Sequence, residues 1–161
     1  MKRIEASIHI QAPPEVVFDF VSDLPRIPEY VDFVLEIFDI SSQPTGVGTT
    51  YRERAKPGSL EQLQEWRCVE FKRPHVQVYE GNSSQMHVVL HKRMGPEPGG
   101  TRYSQWMEFE MFPGFRPLAW LLDPVVARQM AREFEKITSG IKAIIEREQA
   151  PAPTSERISQ R

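Results

Sequence analysis

The chain has 161 residues, 40% of them hydrophobic and 26% charged, which predicts one globular domain with a core of its own. A formal net charge of −2, without a dense run of lysine and arginine, argues against nucleic acid or an anionic membrane as a partner. The single cysteine, Cys68, excludes an intrachain disulfide and a zinc site made of four cysteines. Because the sequence has neither a secretory signal nor the about 18 consecutive apolar residues of a membrane span, we expect a cytoplasmic location.

The amino-terminal part predicts a strand followed by two short helices. Apolar and polar residues alternate from Ile4 to Ile10, which is typical of a strand with one buried face. Apolar residues at helical spacing then predict a helix that begins at Pro14 and is interrupted at Pro25. A second short helical turn is predicted over residues 25–31.

Six further strands are predicted between these helices and residue 112. Short segments rich in glycine, proline, asparagine and serine separate them, which favours antiparallel neighbours. The predicted strands cover residues 33–40, 48–56, 60–72, 75–80, 85–94 and 101–112. An irregular or helical segment is expected over residues 115–122.

The last predicted element is a long helix over residues 123–148. Asp123 and Pro124 suit its start, and one apolar face recurs at helical spacing. This face consists of Val126, Met130, Phe134, Ile137, Ile141 and Ile144. Gly140 lies on the same face, either because another backbone approaches closely or because a ligand needs the space. The domain is thus predicted over residues 1–149, with a disordered tail over residues 150–161.

A seven-stranded sheet has a face that must be covered, and only the last helix is long enough to cover it. Alternation within the strands predicts which side chains face that helix. The predicted inward sets are Thr49, Tyr51, Glu53 and Ala55; Gln62, Gln64, Trp66 and Cys68; Met86, Val88 and Leu90; and Tyr103, Gln105, Met107, Phe109 and Met111. Since these sets include polar and aromatic residues, we expect a cavity rather than a closed aliphatic core.

The order of elements and several phrases resemble the START/Bet v 1-like superfamily (SRPBCC), in particular its polyketide cyclase/dehydrase-like branch. The phrases are IEASIHIQAPPEVVFDFVSDLPRIPEY, GVGTTYRER, EWRCVEFKRPHVQVYEG, GGTRYSQWMEFEM and the helix end IKAIIE, within residues 3–148. The resemblance implies an α+β helix-grip fold, in which a seven-stranded antiparallel sheet curls around the carboxy-terminal helix. Two short helices after the first strand would close one end of a deep hydrophobic cavity.

The resemblance also implies a function, although the superfamily includes carriers, receptors, cyclases and co-chaperones. Binding of a lipid, an isoprenoid or a polyketide-type molecule in the cavity is the first expectation. A polyketide cyclase or dehydratase is the alternative, and a protein whose groove receives another chain is a third. The stretch VFDFVSDLPRIPEYVDF also resembles coenzyme Q-binding, chaperone-like proteins, from which the order Pro28-Glu29-Tyr30 departs.

Candidate site residues follow from the inward sets and from the helix face. We predict ligand contacts for Tyr30, Phe33, Tyr51, Glu53, Gln64, Trp66, Met86, Val88, Tyr103, Gln105, Met107, Phe134, Ile137 and Ile141. For the enzymatic alternative, Glu53 or Tyr103 would move a proton, because an apolar pocket raises the pKa of a carboxyl group. Glu53 could instead pair with an arginine or face solvent.

No cofactor is predicted, and no metal site. His87 and His91 would lie about 13 Å apart on one strand, too far to share an ion. Glu108 and Glu110 alternate with apolar residues and are expected to face water. The partner is expected to be a hydrophobic small molecule, bound by a monomer or homodimer.

Overall fold

The structure, a computed structural model, describes residues 2–84, 86–112 and 124–151. Its elements follow the predicted order of one strand, two short helices, six strands and a long helix. They are β1 (Lys2–Ile10), α1 (Pro14–Ser22), a 3-10 helix (Leu24–Glu29), β2 (Val34–Phe38), β3 (Thr50–Ala55), β4 (Gln62–Lys72), β5 (Val76–Asn82), β6 (Met86–Glu97), β7 (Gly100–Met111) and α2 (Pro124–Gln149).

The seven strands form one antiparallel sheet in the order β1-β7-β6-β5-β4-β3-β2. Successive strands from β2 to β7 are neighbours, whereas β1 pairs with β7 at the far end of the sheet. The chain therefore crosses from one edge of the sheet to the other through α1 and the 3-10 helix. This arrangement confirms the predicted α+β helix-grip fold.

Helix α2 covers the concave face through its apolar side chains. Phe134, Ile137, Ile141 and Ile144 are buried as the spacing predicts, and Ile145 is buried as well. Within the described residues, no helix combines the length and the apolar character needed to cross a membrane.

Polar contacts hold the second half of α2 against β1 and the segment that follows it. The Lys142 ammonium donates to the backbone carbonyl of His9 at 2.8 Å, and the backbone N–H of Gln11 donates to the Glu146 carboxylate at 2.9 Å. At the end of α2, Arg26 of the 3-10 helix forms an ion pair with Glu148 at 2.6 Å. These contacts fix both the first strand and the 3-10 helix relative to α2.

Gly140 marks the closest approach between α2 and the end of the 3-10 helix. A Cβ atom at this position would lie 3.4 Å from Tyr30 Cβ and 3.7 Å from Tyr30 Cα. Of the two interpretations of this glycine, the structure thus supports close packing. Tyr30 thus occupies the space in front of Gly140, at van der Waals distance from a Cβ atom there.

Some predicted boundaries were wrong. Gly81 and Asn82 belong to β5, although the sequence Gly-Asn-Ser is typical of a turn, and β6 continues to Glu97 through Gly95. Gly81 is tolerated in the strand because the ring of Trp66 occupies the space above it. The predicted cap Asp123, the segment 115–122 and residues 152–161 of the predicted tail lie outside the described residues.

We expect Gly81→Ala to destabilise the protein by about 1–3 kcal/mol, because overpacking displaces well-packed neighbours. A Cβ at position 81 would lie 2.7 Å from Gln64 Nε2 and 2.8 Å from two ring atoms of Trp66. Gly95→Ala is the matched control, since Gly95 also lies in a strand and its Cβ would meet nothing within 4 Å. Urea denaturation of both variants tests this difference, and equal stabilities would contradict it.

Candidate functional site

A small cavity of about 90 Å³ lies between the sheet, the 3-10 helix and α2. Its lining is mostly aliphatic and aromatic, with a few polar side chains. The lining residues are Ile27, Tyr30, Val31, Phe33, Val34, Tyr51, Glu53, Trp66, Leu90, Lys92, Gln105, Met107, Phe134 and Ile137.

Strands β3 and β4 provide one wall of this cavity. Alternation along β3 turns Tyr51 and Glu53 inward, and both are buried as predicted. The register places Tyr51 opposite Trp66 on β4, and their rings stack with centroids 6.3 Å apart. Two aromatic rings therefore flank the Glu53 carboxyl group on its own strand and on the next.

Tyr30 enters the cavity from the opposite side, directly after the 3-10 helix. Its ring packs beside Phe20, with centroids 5.5 Å apart, and its side chain is buried. Burial raises the pKa of Tyr30 well above its ordinary range, so the hydroxyl group stays protonated. This hydroxyl group has no hydrogen-bond partner within the described part of the chain.

Glu53 is only 7% exposed, and burial raises the pKa of its carboxyl group from 4.5 to about 7. Desolvation is the largest cause, and the positive charge of Lys92 offsets part of it. The indole N–H of Trp66 also favours the carboxylate, but it does not complete a hydrogen bond. Near neutral pH the carboxyl group is therefore present in both protonation states.

Lys92 on β6 is the second ionisable group of the lining. Its ammonium donates to the Val21 carbonyl at 3.1 Å and lies 5.0 Å from the centroid of the Tyr79 ring. Burial lowers the pKa of Lys92 from 10.5 to about 8. Lys92 and Glu53 attract each other across the cavity without forming a direct ion pair.

The structure brings nine of the fourteen predicted contact residues to this cavity. These are Tyr30, Phe33, Tyr51, Glu53, Trp66, Gln105, Met107, Phe134 and Ile137. The other five are buried or partly buried but do not line the cavity: Gln64, Met86, Val88, Tyr103 and Ile141. The Tyr103 hydroxyl group already donates to the Gln105 side chain at 2.9 Å.

Five lining residues were missed by the sequence analysis. Ile27 and Val31 lie around a proline-interrupted 3-10 helix, where apolar spacing is a weak guide. Leu90 belonged to the predicted inward set of β6 but was not among the predicted ligand contacts, and Lys92 continues the same alternation. Lys92 was not predicted to face the cavity, because a charged lysine side chain in a strand normally faces water. The fifth, Val34, begins the short edge strand β2.

The residues considered for metal binding or hydrolysis lie away from this cavity. His87 contacts Asn82, and His91 stacks on Trp106 with centroids 4.7 Å apart. Glu108 approaches His91 on the same outer face at 3.4 Å, and Glu110 is exposed. The described residues contain no group of three or more His, Cys, Asp or Glu placed to hold a metal ion.

A second concavity of about 560 Å³ lies over β3, β4 and β5 and is polar. Of its two arginines, Arg52 and Arg67, Arg52 pairs with Asp39 at 3.4 Å and with Glu65 at 3.8 Å. Exposed ion pairs of this kind are typical of a solvated sheet face. The inner cavity, with its enclosed ionisable groups, is therefore the better candidate site.

Glu53→Gln should stabilise the protein at pH 8 and have little effect at pH 5. The native pKa of Glu53 is about 7, above the ordinary 4.5, so its ionisation destabilises the folded state as pH rises between these values. Above pH 7 the free energy of unfolding of Glu53→Gln should therefore exceed that of the unchanged protein by about 3 kcal/mol. Urea denaturation at both pH values measures it, with Glu65→Gln on the exposed outer face as the control. A pH-independent difference would contradict this assignment.

Comparison with solved structures shows the same fold in proteins of low sequence identity. TTHA0849 from Thermus thermophilus has a TM-score of 0.74 and 19% identity, over 92% of this chain and all of that one. The Zhui aromatase/cyclase from a Streptomyces species has a TM-score of 0.73 and 16% identity, over 94% of this chain and 98% of that one. Ara h 8.0201 has a TM-score of 0.67 and 15% identity, over 91% of this chain and 98% of that one.

The sequence itself supplies the assignment to a family. No curated protein matches the chain. Residues 1–146, however, match the family described as polyketide cyclase / dehydrase and lipid transport. The chain therefore belongs to this family.

Proposed function

We propose that the protein binds a small, largely apolar molecule in the cavity between the sheet and α2. The observation that carries this proposal is the lining itself, which combines apolar walls with buried polar groups that lack partners. Such a combination is typical of small-molecule sites, where a few polar groups orient an otherwise apolar ligand. The family description, which includes lipid transport, supports the same function.

The size of the cavity limits how such a ligand fits. Ligand sites commonly enclose about 300–1,000 Å³, and an engineered cavity of about 150 Å³ holds benzene. The cavity of about 90 Å³ therefore accepts only part of a lipid or a polyketide unless lining side chains move. Leu90 and Met107 are only partly buried, and the unbranched methionine side chain adapts its shape readily. Binding should thus involve rearrangement of these side chains.

Filling the cavity should weaken binding. We expect Leu90→Phe to raise the Kd of a hydrophobic fluorescent dye at least fivefold, because the larger ring occupies the space of the ligand. Leu63→Phe is the matched control, since Leu63 is 46% exposed on the outer face of β4. Fluorescence titration of both variants gives the comparison, and native mass spectrometry of gently purified protein shows whether an apolar ligand is retained. Equal dye affinities would contradict binding in this cavity.

An enzymatic function is the second candidate, and the pKa of Glu53 favours it. A carboxyl group with a pKa of about 7 can take up or release a proton at neutral pH. In a cyclase or dehydratase acting on a polyketide-type ketone, Glu53 would move the proton during aldol closure or loss of water. The likeness to an aromatase/cyclase agrees with this chemistry. Tyr103 is less suited, because it does not line the cavity and its hydroxyl group donates to the Gln105 side chain.

Glu53→Gln distinguishes the two functions. For the enzyme, we expect turnover of a poly-β-ketone substrate to fall at least a hundredfold while substrate binding persists, because the amide cannot exchange the proton. Product formation by mass spectrometry and binding by calorimetry provide the two readouts. Unchanged turnover would remove Glu53 from the mechanism.

A further inference from the structure

Two hydrogen-bond donors that line the cavity lack an acceptor within the described ranges. They are the Tyr30 hydroxyl group and the Trp66 indole N–H, on side chains that are 7% and 5% exposed. A buried donor without a partner costs about 1–3 kcal/mol. The two donors come from different elements and face the same space, so one acceptor inside the cavity could satisfy them together.

Lys92 adds a third donor to this space. An ammonium group carries three N–H bonds, and only the one to the Val21 carbonyl has an acceptor among the described residues. A buried charge is normally paired with an opposite charge in direct contact. Here the Glu53 carboxylate faces the same cavity but forms no ion pair with Lys92. The positive charge is thus incompletely compensated, and a gap remains between the two groups.

The donors outnumber the acceptors around this gap. Tyr30, Trp66 and Lys92 all present hydrogen atoms, and Glu53 becomes a further donor when it is protonated. The Gln105 side-chain oxygen already accepts one hydrogen bond from the Tyr103 hydroxyl group, and the amide NH2 group of Gln105 adds two further donors to the lining. A ligand group that fits must therefore accept several hydrogen bonds and tolerate a nearby positive charge.

We propose that Tyr30, Trp66, Lys92 and Glu53 form a subsite for the carboxylate of an amphipathic acid whose apolar body occupies the rest of the cavity. This inference rests on the proposed binding function. The carboxylate accepts hydrogen bonds from Tyr30 and Trp66 and neutralises Lys92. Glu53 takes up a proton, so that two negative charges do not meet in the apolar interior.

Proton uptake makes the binding dependent on pH. The titratable groups that face Glu53 are Tyr51 on its own strand, Tyr30 beside the 3-10 helix and Lys92 on β6. Both tyrosines stay neutral, since burial raises their pKa values. The titratable groups beside Lys92, Cys68 on β4 and Tyr79 on β5, stay neutral for the same reason. As pH rises from about 6 to about 8, Glu53 loses its proton and Lys92 begins to lose its charge. Both changes weaken binding of an anion.

A matched pair of ligands tests the subsite. Octanoate and octanamide have the same chain and nearly the same shape, but only octanoate is charged. Calorimetry at pH 6 should give at least tenfold tighter binding of octanoate, and its affinity should fall at least tenfold at pH 8. Repeating the titration at pH 7 in two buffers with different protonation enthalpies should show uptake of about half a proton, because about half of the Glu53 carboxyl groups are already protonated before binding. Equal affinities, or no proton uptake at pH 7, would overturn the proposal.

Variants assign the effect to individual groups. Lys92→Met should abolish the preference for octanoate, whereas Lys72→Met, an equal charge change at an exposed position, should leave it intact. Glu53→Gln should retain octanoate binding at pH 6 and lose its pH dependence. Tyr30→Phe and Trp66→Phe should each weaken octanoate binding several-fold, and Tyr30→Phe, which removes only an unpartnered hydroxyl group, should do so without destabilising the free protein. An unchanged octanoate affinity in both Tyr30→Phe and Trp66→Phe would overturn the subsite even if Lys92→Met failed to fold.

The same experiments separate this inference from the proposed function. If octanoate, octanamide and the hydrophobic dye all fail to bind, the binding function itself is wrong. If all three bind and neither the charge nor the pH matters, the cavity is a ligand site without this polar subsite. Tight octanoate binding that survives Leu90→Phe would place the anion elsewhere on the protein and would also overturn the proposal.

Discussion

β-sheets twist, so a seven-stranded sheet and a helix of 26 residues cannot remain in contact along their whole length. In this protein α2 packs closely against β1 through its second half, where Lys142 and Glu146 bind the chain around His9 and Gln11. Toward β3 and β4 the two layers separate, and aromatic side chains and the 3-10 helix occupy much of the space between them. The remaining gap is where the ionisable groups Glu53 and Lys92 lie.

The polar groups of this gap are best understood through the free energy of desolvation. Burying a carboxylate and an ammonium without direct contact is unfavourable, as the opposite shifts of their pKa values show. If stability alone mattered, apolar residues would fill the same space at lower free energy. The unsatisfied donors on Tyr30 and Trp66 make a further unfavourable contribution to the free energy of folding. A bound ligand with a polar end would satisfy these groups, which is why the binding and enzymatic proposals concern the same few residues.

Much of this arrangement could be predicted from the sequence, because it depends on local periodicity. The two-residue period of β3 placed Tyr51 and Glu53 on the inner face, and the helical period of α2 placed Phe134 and Ile137 opposite them. Other features depend on three-dimensional packing. Gly81 continues a strand only because Trp66 covers it, and Lys92 is buried although its charge suggested the surface. The small size of the cavity also depends on the distance between layers, which no local pattern specifies.

The central claim is that the Glu53 carboxyl group is enclosed in an apolar cavity of the folded protein. Carboxyl carbon NMR of the ligand-free protein, with Glu53→Gln used to assign the resonance, measures its titration directly. We expect a midpoint near pH 7. A midpoint near the ordinary value of 4.5 would show that the carboxyl group reaches solvent, and would contradict this account of the site.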